Sequence, residues 1–277
     1  GVDYLQGGTV RHAEARREVL LAAGAVHSPL LLQASGIGPA ALLRALGLAP
    51  VLVNEHVGRH LQDHLCIDHV YRARVRTLNE ELRPWSGRVR AAARYLLTRG
   101  GPLALSVNQG GGFIRSRPDV PRPDLQLYFS PVSYTRAPVG QRPLMSPDPF
   151  PGVLLSAQPC RPRSRGELRL RSPDPLDAPV IEPHSLEAPE DLMLLLEGAR
   201  WLRRLAATPA FAAVLDAELQ PGPAAQDDAA LVADIRRRAS TVFHPCGTCR
   251  MGPAAAAAAA DGEGAVVDAQ LRVHGLQ

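Results

Sequence analysis

Arg17-Glu-Val-Leu-Leu-Ala-Ala-Gly-Ala25 leads shortly into Ser28-Pro-Leu-Leu-Leu-Gln-Ala-Ser-Gly-Ile-Gly-Pro39. After Glu18 the first stretch is wholly apolar up to Gly24, which predicts a strand over Glu18–Ala23, buried on both faces of a parallel sheet. Ser28-Pro29 predicts a helix start, because serine can cap and proline is tolerated at the first helical position. Ser35-Gly36 ends that helix. A second short helix follows from Ala40 to Leu46, closed by Gly47. The intervening turn Ala23-Gly24-Ala25 has two readings. Small residues there let backbone approach a cofactor closely, or the glycine simply meets the needs of a strand-to-helix turn.

Further along, the apolar period changes. From Asp68 onward Tyr71, Ala73 and Val75 alternate with Arg72, Arg74 and Arg76; Leu125, Leu127 and Phe129 alternate likewise, as do Leu168 and Leu170. Period two with one polar face predicts an antiparallel sheet. Leu192, Leu195, Leu196, Ala199 and Leu202 fall at helical spacing within Glu190–Arg204, with arginines near the end where the helix dipole favours them. A further helix is expected over Asp227–Arg238. Pro131–Pro151, rich in proline and without periodicity, reads as a long loop, and the alanine run at 254–260 as a variable surface loop.

Bulk properties narrow the function classes. A chain of 277 residues has room for one large domain or two modest ones. Its composition is 45% hydrophobic and 21% charged, ordinary for a globular protein. No apolar run approaches the ~20 residues of a membrane helix. The net charge is +4 and every basic residue is arginine, but these arginines are scattered among acids, so nucleic acid is not an expected partner. Cys66, Cys160, Cys246 and Cys249 are too few for a disulfide scaffold. Cys246 and Cys249 have redox-motif spacing beside His244. A zinc site needs four ligands, and no second Cys/His pair at ligand spacing accompanies them. Reduced cysteines and no metal are expected.

The stretch His244-Pro-Cys-Gly-Thr-Cys-Arg-Met-Gly252 sets one histidine on a tight Pro/Gly turn. Alone, such a histidine reads as a hydrogen-bonded turn residue. Together with Ser28–Pro39, however, it resembles the glucose–methanol–choline family of FAD-dependent alcohol oxidoreductases. Val57-Gly-Arg-His-Leu-Gln-Asp-His64 is similar to that family's Val-Gly-x-Asn-Leu-Gln-Asp-His, with His60 in place of the usual asparagine. Pro162-Arg-Ser-Arg-Gly-Glu-Leu-Arg-Leu-Arg-Ser172 resembles its Pro-x-Ser-x-Gly-x-x-x-Leu-x-Ser strand. The four motifs occur in the family's order.

The resemblance implies an α/β (α+β) fold: a partial Rossmann-like FAD-binding domain over 1–64 and 239–277, and a substrate-binding antiparallel-sheet domain with flanking helices over 65–238. It implies FAD as cofactor, with Ala23, Gly24, Ala25 and Pro245 beside it, and a small-molecule alcohol as substrate. A hydride would pass to flavin N5 while His244 accepts the hydroxyl proton, the electron acceptor being unknown. Histidine suits that role because its ordinary pKa lies near neutrality. Asp63 and His64 would be structural.

Departures from the pattern set further expectations. No Gly-x-Gly-x-x-Gly occurs in the chain, and it stops before the family's second active-site residue. An incomplete enzyme that alone holds FAD weakly and lacks activity is therefore expected. Gln109-Gly-Gly-Gly-Phe113 stands where relatives have Glu-Ala-Gly-Gly-Phe, so a carboxylate suited to a cationic alcohol is lost. Two classes stay open on the sequence alone: an enzyme portion of that kind, and a non-catalytic remnant domain with an interaction or no role.

Overall fold

The computed structural model describes residues 1–135, 146–254 and 264–276, and the chain resolves into two compact units. One comprises Gly1–Gln62, Arg165–His184 and Pro245–Gln277; the other comprises Asp63–Ser164 and Ser185–His244. The segment 165–184 thus counts with the first unit, whereas the sequence pattern groups it with the sheet domain. The alanine run from 255 onward, and 136–145 of the expected long loop, lie outside the described residues.

The second unit is built on the sheet expected from the period-two segments. Its strands run in the order Leu215–Gln220, Leu65–Ala73, Gly152–Pro159, Leu125–Ser130, Gly110–Ile114, all neighbours antiparallel. Leu65–Ala73 carries two partners on its outer edge: Leu215–Gln220 beside its end, and Ser240–Thr241 beside Leu65 and Cys66. Strand alternation sends Ile67, Tyr71, Ala73, Leu127, Leu155 and Ala157 to one face, where they pack on two helices. The helix Pro189–Ala206 presents Leu192, Leu195, Leu196, Ala199 and Leu202, and Asp228–Arg238 adds Leu231 and Ile235. Proline opens the first helix, and the Asp227 carboxylate caps the second by accepting from Ala230 N–H at 2.8 Å. Each fully buried leucine, such as Leu195 or Leu202, contributes about 1.5–3 kcal/mol. The opposite face carries Val70 and Leu154 together with polar residues: Ser156 donates to Asp68 at 2.6 Å, and Gln158 meets Gln126 at 3.2 Å.

In the first unit the helix spans Gly24–Ala34, so Ser28-Pro29 lies inside it rather than at its start. The Ser28 hydroxyl instead accepts from the Ala23 N–H at 3.1 Å. The helix ends as expected at Ser35-Gly36, with Gly36 at φ +78°, and Ala40–Ala45 follows, closed by Gly47 at φ +68°. Gln33, fully buried, ties this helix to the hairpin Glu167–Arg169/Val180–Glu182. Its amide donates to the Val57 and Leu168 carbonyls and accepts from Leu170 N–H at 2.9 Å. Leu168 belongs to this two-stranded hairpin and Leu170 lies just past its first strand; neither is part of the large sheet.

The expected strand at Glu18–Ala23 does not form. The segment is irregular and exposed, with Leu20 79% accessible. A strand buried on both faces needs a neighbour along its edges, because its N–H and C=O groups require partners. Among the described residues no strand lies beside this one, so the apolar run has nothing to pair with.

Candidate functional site

Consider first how the chain delivers His244. Ser240–Thr241 leaves the sheet alongside Leu65 and Cys66. The Val242 N–H then donates to the His64 carbonyl at 3.2 Å. Phe243 turns through φ +63°, and its N–H donates to the Thr241 hydroxyl at 2.8 Å. That hydroxyl donates to one oxygen of the Asp63 carboxylate, whose other oxygen accepts the His244 N–H at 2.9 Å. A carboxylate accepting from backbone N–H is among the stronger protein hydrogen bonds. The backbone of His244 is thus fixed from Asp63, while its side chain remains exposed.

His64 stands beside the His244 ring. The two ring centroids are 5.7 Å apart with planes at 67°, an edge-to-face arrangement. Both nitrogens of His64 are engaged: Nδ1 with the Gln158 amide nitrogen at 2.9 Å, and Nε2 with the Cys160 carbonyl at 3.1 Å. Gln158 is fully buried, and its amide nitrogen also donates to Gln126 Oε1.

The turn after His244 belongs to the first unit. Gln62 and Cys246 exchange two backbone hydrogen bonds of 3.0 Å, and Gly58 N–H donates to the Thr248 carbonyl at 2.9 Å. Gly247 adopts φ +96°, and a Cβ there would stand 2.2 Å from the His60 carbonyl oxygen, so glycine is required. His60 itself sits at φ +63°, in the left-handed region where histidine is among the residues found more often than most. Burial holds the His60 imidazole below its ordinary pKa, with His56, Arg250, Arg165 and Arg59 acting in the same direction.

Thr248 links this turn to the small-residue segment. Pro29 has no N–H to give to the Ala25 carbonyl, the bond a regular helix would make there. The buried Thr248 hydroxyl donates to that carbonyl instead, at 2.6 Å. Ala23, Gly24 and Ala25 therefore form the N-terminal turn of a helix without a side-chain cap, and Gly24, at φ +77°, has nothing within 4 Å of where a Cβ would project. Open space and uncapped N–H groups fit a polar cofactor edge. Pro245 is exposed. Burial pushes the Cys249 thiol up to about 11. Among the described residues no three His, Cys, Asp or Glu side chains group as a metal site, and no helix is long and apolar enough to cross a membrane.

The sequence alone singles out His244, Ala23, Gly24, Ala25 and Pro245. It leaves Asp63 and His64 as structural residues and gives no reason to name Thr241, Gln158 or Thr248. Thr241 lies near enough to His244 in the chain to suggest a turn contact. Gln158 gives no sequence signal, since it meets His64 only in the folded chain.

Two GMC oxidoreductase family models match, the N-terminal one over residues 1–66 and the C-terminal one over 162–277. An alcohol dehydrogenase [acceptor] of Pseudomonas putida is 37% identical over 284 residues, covering 100% of this chain and 48% of that protein. An oxygen-dependent choline dehydrogenase of Chromohalobacter salexigens is 36% identical, with 100% of this chain and 47% of that protein covered. The chain thus spans about half the length of these relatives. In fold it resembles an FAD-dependent oxidoreductase from Chaetomium thermophilum, at TM-score 0.81 and 21% identity, covering 99% of this chain and 52% of that one.

Proposed function

The chain belongs to the GMC oxidoreductase family, and on that premise we propose that it serves FAD-dependent oxidation of a primary or secondary alcohol, with His244 accepting the hydroxyl proton. The observation that carries this reading is the exposed His244 ring on a backbone held by Asp63. A general base has to be both accessible to substrate and fixed in place. When bound, FAD supplies the acceptor for the hydride leaving the carbinol carbon.

The residues of this chain orient and handle the proton. His244 receives it from the alcohol hydroxyl as the C–H bond breaks, which leaves the product carbonyl neutral. Asp63 and Thr241 keep the His244 backbone from shifting during that transfer. Ala23, Gly24, Ala25 and Pro245 would hold the cofactor, small side chains allowing close approach. Gln109 stands where relatives carry a glutamate, so a carboxylate suited to a cationic alcohol is lost, which favours a neutral alcohol over choline.

The test is to load the intact enzyme that carries these residues with FAD and add 1-butanol or choline without oxygen. Bleaching of the flavin band, greater with 1-butanol, is the expected result. A flavin-loaded protein bleached by neither these nor a panel of other primary and secondary alcohols would contradict the proposal.

A further inference from the structure

We propose that His64 is a positioning residue for His244, itself locked in a single tautomer by Gln158 and the Cys160 carbonyl. The inference rests on the reading of His244 as proton acceptor, but its geometric part stands apart from it. The Gln158 amide nitrogen, placed by Gln126 Oε1 on its other side, donates to His64 Nδ1. Nδ1 is then an acceptor, so the ring proton sits on Nε2 and is donated to the Cys160 carbonyl. Neither nitrogen of His64 is then left over for the substrate. What it offers His244 is an oriented aromatic edge or face at 5.7 Å.

The arrangement divides the work between chain neighbours. Asp63 holds the backbone of His244, and His64 restricts the swing of its ring. An exposed side chain held only at its backbone samples several rotamers, and a base displaced by about 1 Å can lose about 10²-fold in rate. Gln158 sits in the central strand Gly152–Pro159, paired on both edges, which makes it a rigid origin for this chain of contacts.

Two measurements test the proposal. In the 277-residue protein labelled with 15N-histidine, long-range 1H–15N correlations, assigned with His64→Phe, should show His64 protonated at Nε2 alone. Gln158→Leu should convert it to a mixture. A wild-type proton on Nδ1, averaged tautomers, or a lock surviving Gln158→Leu would overturn the inference. In the FAD-loaded enzyme with 1-butanol, or whichever probe alcohol reduces the flavin, His64→Ala should lower kcat by about 10²-fold with a smaller change in KM. His64→Phe, which restores a ring, should recover most of that loss. Equal losses in both variants, or none in either, would overturn the positioning role. If His64→Ala fails to fold, Phe against wild type decides: a full loss in Phe overturns it. A silent His244→Ala would instead sink the catalytic reading, and the tautomer measurement would be unaffected by it.

Discussion

Asp63 Oδ1 accepts the backbone N–H of His244 at 2.9 Å, so a residue at the entry to the central sheet fixes the candidate base far away in sequence. The same carboxylate takes the Thr241 hydroxyl on its other oxygen. Asp63→Ala removes both acceptors from a half-buried position. A loss of about 2 kcal/mol in unfolding free energy is expected from hydrogen bonds to a charged group, with Asp63→Asn losing less. Urea titration reads the stability change. In the flavin-loaded enzyme the same variant should slow turnover by more than it raises KM.

Thr248 makes a second, independent prediction. Its hydroxyl answers the Ala25 carbonyl that Pro29 leaves without a helical partner. Thr248→Val keeps the shape and strands that carbonyl, at a cost of about 1–3 kcal/mol. Thr248→Ser should retain most of the stability. Equal midpoints for Val and wild type in chemical denaturation would show that another group satisfies Ala25.

The pH dependence of stability should carry the mark of His69. This buried imidazole is pushed down to about 4, chiefly by burial; Glu218 opposes the shift, Arg203 and Arg238 add to it, and Asp234 opposes it. The unfolded chain takes up a proton near the ordinary value of 6.5, while the folded protein does not until about 4. The unfolded state therefore binds more protons between those values. The stability this group contributes is complete above 6.5 and is lost as pH falls toward 4. On the order of 3 kcal/mol is at stake, by about 1.4 kcal/mol per unit. His69→Leu should flatten that part of the curve when urea midpoints are compared at pH 7 and pH 5. An unchanged slope would mean that other groups govern it.

Much of the fold is legible in the sequence. The period-two runs around Tyr71 and Leu127 lie in one sheet system, and the spacing of Leu192 to Leu202 is the buried stripe of a long helix. Both signals are local and follow from burying one face. The Glu18–Ala23 run misleads because a continuous apolar stretch specifies a strand only when partners stand on both sides. Ser28-Pro29 misleads for a different reason: proline inside a helix is tolerated where a distant hydroxyl, here Thr248, takes the freed carbonyl. His244 is visible through its motif. Its supports are not, because Asp63, His64 and Gln158 reach it through strand register and turn geometry rather than through sequence neighbourhood.

The most direct test of His244 as proton acceptor is the rate of flavin reduction by an alcohol, followed anaerobically in the FAD-loaded enzyme with His244 intact and with His244→Ala. If His244 accepts the proton, the variant should bind FAD as before and its reduction should slow by about 10²–10⁴-fold, the range for a lost general base. Reduction at the wild-type rate in a variant that retains its flavin would contradict the central claim.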